Sequence, residues 1–227
     1  MDNQEQNNLE RKSSSYLIPI SIIIAGALVA GAVWFQSGKK IDTTANISGK
    51  LAKVEIGNLP LLGNAEAKVT LVEFGDYQCP FCGRLFKETE PQIREQYLKT
   101  GQAKMAWRDF AFLGEESYWA AEAARCANDQ GQFWQFHDYL FNHQNGENQG
   151  AFTKNNLKKF AGEMGLNQPD FNSCLDSDKY LQAVKDDTDA GKAAGVNSTP
   201  SVFVNGENIV GAQPFSVFKS AIDKYLK

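Results

Sequence analysis

The sequence predicts an α/β fold. It has a mixed sheet built from a parallel β-α-β half and an antiparallel hairpin, then a C-terminal helix. A helical block of about 115–195 is inserted, and a single transmembrane helix precedes the domain. Three observations carry this. An apolar β-rich run, KVTLVEF (68–74), precedes a helical stretch and a second β-run, QAKMAWRDFAF (102–112). Near the end, TPSVFVNGENIVG places two short strands around Asn205-Gly206. Residues 16–35 form a charge-free apolar run.

That run reads YLIPISIIIAGALVAGAVWF. Roughly 20 helical residues cross the ~30 Å hydrocarbon core. Tyr16 and Trp34 sit where amphipathic rings favour the interface. Pro19 falls in the first turn, where its missing N–H costs little. Arg11 and Lys12 before the run nearly balance Lys39 and Lys40 after it, so charge alone does not orient it. The short polar tail 1–15 suggests tail inside and domain outside, a single-pass protein of the cell membrane with its domain on the extracytoplasmic side. Ala30-Gly31-Ala32 resembles a cleavage site, but the apolar run continues through Phe35, so the segment reads as an uncleaved signal anchor. Residues 36–50 are polar and aperiodic, a linker, and the domain occupies 51–227.

The chain has 227 residues, 42% hydrophobic and 22% charged, which suits one globular domain plus an appendage. A net charge of -4 gives no footprint for nucleic acid as a main partner.

Within the domain, KVTLVEF reads as a buried strand. Phe81, Leu85, Ile93 and Leu98 follow at loosely helical spacing, and Pro91 is expected to kink or split that helix. The second strand follows. Ala- and aromatic-rich stretches then form the helical block. Ser201 to Val204 and Glu207 to Val210 flank Asn-Gly, which tolerates the positive φ of a tight hairpin. Phe215, Phe218, Ile222 and Tyr225 give the last helix its apolar face. A crossover helix between the first two strands makes them parallel.

The chemistry sits in EFGDYQCPFCG, residues 73–83. Cys79 and Cys82 could be half a zinc site, a structural disulfide or a redox centre. A zinc ribbon needs a second Cys pair some 15–20 residues on. Cys126 and Cys174 are isolated, and His137 and His143 do not complete a set, so no metal is expected. The pair lies between a strand and a helix. At a helix start, open N–H groups and the dipole stabilise a thiolate. That makes Cys79 a nucleophile and leaving group near neutral pH, with Cys82 one turn further in. Pro80 suits the first turn.

VEFGDYQCPFC, the RDF of the second strand, AARCANDQGQFWQFHDYLF and GVNSTPSVFVNG together resemble the DsbA-like thiol:disulfide oxidoreductases of the thioredoxin superfamily. The resemblance covers roughly 51–227 and implies a thioredoxin fold. It implies that Cys79 attacks and Cys82 resolves. It implies a cis bond before Pro200, leaving the Thr199 backbone free to pair with substrate; the alternative is a trans proline opening a strand. Glu73 matches a buried acidic position that relays a proton from Cys82; otherwise it is an exposed strand residue or a partner of Arg108. The family often carries a second disulfide in the helical block, which would join Cys126 to Cys174. Phe81 stands where the best-known member has a histidine that stabilises the thiolate, so a less acidic Cys79 is expected. The resemblance further implies no cofactor beyond the Cys79–Cys82 disulfide and, as substrates, exported proteins with thiols. The partner it implies is a membrane quinone-linked reoxidant of the DsbB or vitamin-K-epoxide-reductase-like type.

Introduction of disulfides is the favoured reading. A reductase or isomerase with the same site, and a non-catalytic membrane-anchored module with structural cysteines, are the competitors. His137, His143, Trp107, Trp119, Phe133 and Trp134 read as packing or surface residues.

Overall fold

The computed structural model describes residues 54–227. The tail, membrane helix and linker expected over 1–50 lie outside these residues. No helix among the described residues is long and apolar enough to cross a membrane.

The sheet has five strands: β1 (Leu62–Gly63), β2 (Val69–Gly75), β3 (Ala103–Asp109), β4 (Ser201–Val204) and β5 (Glu207–Val210), in the order β1-β3-β2-β4-β5. β2 and β3 run parallel, and the other neighbours are antiparallel. β2 is central and buried on both faces, which is why it reads as a nearly unbroken apolar run. The hairpin turn has φ 47° at Asn205 and 91° at Gly206, as its sequence demands. β1 is an addition to the expected fold. With two residues it is too short to show any alternation.

Between β2 and β3 the chain is helical from Pro80 to Leu98. α1 (Pro80–Arg84) and α2 (Glu90–Ile93) alternate with π-helical turns, Leu85–Thr89 and Arg94–Leu98. Pro91 does not split the helix. The widened turn just before it gives its ring room and relaxes the pattern its missing N–H would break. The inserted block comprises α3 (Glu115–Asn128), α4 (Phe133–Asn142), α5 (Lys154–Glu163), α6 (Gln168–Asp176) and α7 (Leu181–Ala193). α8 (Phe215–Leu226) closes the domain, burying Phe218 and Ile222 beside Leu71 and Val204. Thr153 and Asn167 cap α5 and α6 with side-chain oxygens.

Trp107 and Phe133 are fully buried, and Trp119 and Trp134 pack half-buried against the same core. His137 is enclosed by Trp107, Tyr77, Trp134 and Phe141. Cys126 on α3 and Cys174 on α6 are disulfide-bonded, with Cα atoms 5.9 Å apart.

Candidate active site

Cys79 is the N-cap residue of α1. Its backbone is extended (φ −68°, ψ 120°) and Pro80 begins the first turn. The N–H groups of Phe81 and Cys82 in that turn lie toward its sulfur without closing a capping hydrogen bond. Cys79 and Cys82 are both free thiols and both buried. The peptide bond before Pro200 is cis, and the Cys79 thiol approaches the Thr199 carbonyl oxygen at 3.5 Å. The structure thus brings together residues separated by 120 positions. The Thr199 hydroxyl is buried and makes no hydrogen bond among the described residues.

The two thiols are driven apart. Cys79 is lowered to about 6, chiefly by the hydrogen bond from Cys82, against burial and with help from Thr199 and the N–H groups of Cys82 and Phe81. Burial, then the Cys79 sulfur, pushes Cys82 well above the ordinary thiol range. Phe81 is 52% exposed beside them, with the Arg84 guanidinium 5.1 Å from its ring centre.

Glu73 is buried, and its Oε2 has no hydrogen-bond partner among the described residues. Burial raises its carboxyl well above the usual range. Glu90 and the Cys79 sulfur raise it further, and Arg94 opposes them. Arg94 is itself bound to Glu90 and to Asp138 at 2.7 Å. Arg108 is not Glu73's partner. It pairs with Asp187 at 2.7 Å on α7 and donates to the Glu55 carbonyl. Arg125 joins the same carboxylate and Asp109.

Several residues that sequence reasoning passed over shape the redox loop. Asp76 accepts from Ser117 at 2.7 Å and from the N–H groups of Gln78 and Phe112. Gln78 in turn binds Ser117 and Asn148. These partners are far apart in the chain and belong to no spaced motif.

A strand–Cys-Pro-Phe-Cys–helix unit facing a cis-proline, with one acidic and one buried thiol, is a centre for thiol–disulfide exchange. Residues 56–224 match the thioredoxin family. The chain belongs to that family and is a thiol:disulfide oxidoreductase. It is 31% identical over 171 residues to Disulfide bond formation protein D of Bacillus subtilis, covering 74% of this chain and 77% of that protein. The crystal structure of oxidised BdbD from Bacillus subtilis superposes with a TM-score of 0.69 at 30% identity, over 74% of this chain and 92% of that one. Na(+)/H(+) antiporter NhaA 1 of Salinispora arenicola is 33% identical over 162 residues. Those residues are 70% of this chain but only 24% of the antiporter, so the chain spans about a quarter of that relative.

Proposed function

We propose that the chain introduces disulfide bonds into exported proteins from the extracytoplasmic face of the membrane, anchored by residues 16–35. The observation that carries this reading is the acidic Cys79 at a helix N-cap opposite cis-Pro200. The name of the Bacillus relative and the Cys126–Cys174 disulfide support it, since such bonds persist in oxidising compartments.

The oxidised pair begins the cycle. A substrate thiolate attacks the Cys79 sulfur, the Cys79–Cys82 bond breaks, and Cys82 leaves and takes up a proton. The substrate's second thiolate then attacks the substrate sulfur of the mixed disulfide. Cys79 leaves as a thiolate. Two electrons have passed from substrate to the cysteine pair, and the substrate holds a new disulfide. The Thr199 backbone pairs with the extended substrate. Glu73 exchanges the proton of the buried Cys82. Reoxidation returns the two electrons to a quinone-linked membrane partner of the DsbB or vitamin-K-epoxide-reductase-like type.

A stabilised Cys79 thiolate favours the dithiol form and makes the disulfide an oxidant. With Cys79 at about 6, the potential is expected between thioredoxin at about −270 mV and DsbA at about −120 mV. Equilibration with glutathione buffers measures it. A value at or below the thioredoxin end turns the reading to a reductase. Phe81→His adds a donor beside the sulfur and should raise the potential by tens of millivolts; an unchanged value removes Phe81 from the tuning.

Glu73 makes a separate prediction. Its folded-state carboxyl titrates above the ordinary 4.5, so ionising it opposes folding. Its contribution is intact below that pH and is lost as pH rises through the folded value. Glu73→Gln is therefore expected to stabilise the protein in mildly alkaline buffer and leave it unchanged near pH ~4. The same change should slow the attack of Cys82 on the mixed disulfide with the reoxidising partner, by roughly a hundredfold or more for a lost proton acceptor. Paired thermal melts and stopped-flow kinetics read both; equal melting shifts at the two pH values would contradict the assignment.

A further inference from the structure

The segment after α4 folds back over the redox loop and grips it at two points. The Gln144 side-chain amide donates to the Tyr77 carbonyl at 2.7 Å and to the Cys79 carbonyl at 2.9 Å. Four residues on, the Asn148 N–H donates to the Gln78 side-chain oxygen at 2.6 Å. Cys79's carbonyl also accepts the first intrahelical bond, from Gly83 at 3.1 Å. Gln144 therefore binds the oxygen on which α1 begins.

Gly83 belongs to the same contact. Its φ is ordinary for a helix, so conformational freedom does not call for glycine there. Space does: a Cβ on Gly83 would lie 2.2 Å from Gln144 Oε1. The last residue of Cys-Pro-Phe-Cys-Gly is small where the Gln144 amide lies across it.

We propose that Gln144 is a positioning residue for the redox centre, seated on Gly83, that holds Cys79 in the extended N-cap geometry from which the open N–H groups of α1 face its sulfur. This rests on the thiol–disulfide reading of the site. The physical argument has two parts. The Cys79 carbonyl oxygen is the negative end of a dipole on the same residue as a sulfur that must carry charge, and the Tyr77 carbonyl stands two residues before it. Two N–H donors oppose that repulsion. They also fix the rotation of the Cys79 peptide, and the direction of the first-turn N–H groups depends on it. A loop brace with no electrostatic role would change stability and leave the thiolate where it is.

The test is the pH titration of ultraviolet thiolate absorbance in the reduced full-length chain. The unmodified protein should titrate near 6. Gln144→Ala should move the transition upward and cut the thiolate fraction at that pH roughly tenfold. Gly83→Ala should do the same, because its methyl displaces the amide. In the Gln144→Ala background, Gly83→Ala should add less than about a twofold further change, since nothing remains to displace. Gln144→Met keeps the length without the donors and serves if the alanine variant does not fold. Variants that titrate with the unmodified protein, or effects of the two substitutions that simply add, overturn the proposal while leaving the redox reading intact. An unmodified protein with its first thiol near the ordinary 9 overturns both.

Discussion

Cys79→Ser is expected to reduce dithiol oxidation to the uncatalysed background, and Cys82→Ser to be trapped as a mixed disulfide when offered a disulfide-bonded peptide. The asymmetry follows from burial and charge. Cys79 carries the low-pH thiolate and lies beside Thr199 and Pro200, so the mixed disulfide is expected there. Cys82 is fully buried and held as a thiol. Without Cys82 no resolving sulfur remains inside the protein, and a mixed disulfide at Cys79 has no internal route of escape. A non-reducing gel with a disulfide-bonded peptide, whose S–S bond the Cys79 thiolate attacks while the other peptide sulfur leaves as a thiolate, would show the adduct for Cys82→Ser and none for Cys79→Ser. The identity of the replacement also matters. Serine keeps an O–H that can donate to the Cys79 sulfur, and alanine does not. Since the Cys82 hydrogen bond is the largest influence lowering Cys79, Cys82→Ala should titrate higher than Cys82→Ser. Alkylation of Cys79 should then fall off as pH drops through about 6 in Cys82→Ser and at higher pH in Cys82→Ala. Oxidation that survives Cys79→Ser would leave the cysteines structural and revive the binding-module reading.

Much of this site was legible because its residues sit in patterned segments. The buried strand, Cys-Pro-Phe-Cys and Thr-Pro before a β-run each declare themselves locally, and a resemblance joins them. The Asn205-Gly206 turn was readable because only a few residue types accept its dihedrals. Glu73 lay at the limit. A carboxylate in an apolar strand signals either burial or exposure, and only the pairing of Arg108 with Asp187 decides that Glu73 is not its partner. Gln144 was not legible at all. It lies 65 residues from Cys79, on a polar loop where a glutamine is unremarked. Gly83 carried the one hint: a glycine inside a helical stretch that costs stability unless something occupies its missing side chain. The π turns were hidden as well: the first accommodates the ring of Pro91, a matter of local fit rather than composition, and the second has no signal in the sequence.

Replacing both Cys126 and Cys174 by Ala is expected to cost about 4 kcal/mol, from the chain entropy of a loop with sequence separation 48. Alanine is the sharper choice. Both positions are buried, and two serines would add unpaired hydroxyls to the loss. The staple joins α3 to α6 within the inserted block, next to the Asp129 carboxylate, which binds Lys179 and Tyr180. Denaturant unfolding followed by tryptophan fluorescence measures the shift in midpoint. A loss under about 1 kcal/mol would mean that the unfolded block is already compact without the bond. The redox pair offers a second readout. The block reaches the redox loop through Ser117 on α3, through His137 and Phe141 of α4 against Tyr77, and through the segment carrying Gln144 and Asn148, not through the staple itself. If those contacts carry the coupling, the double variant should unfold more easily while Cys79 still titrates near 6 as long as it remains folded. A displaced titration in the folded variant would make the second disulfide part of the tuning, and would extend the positioning of Cys79 from one side chain to the whole inserted block.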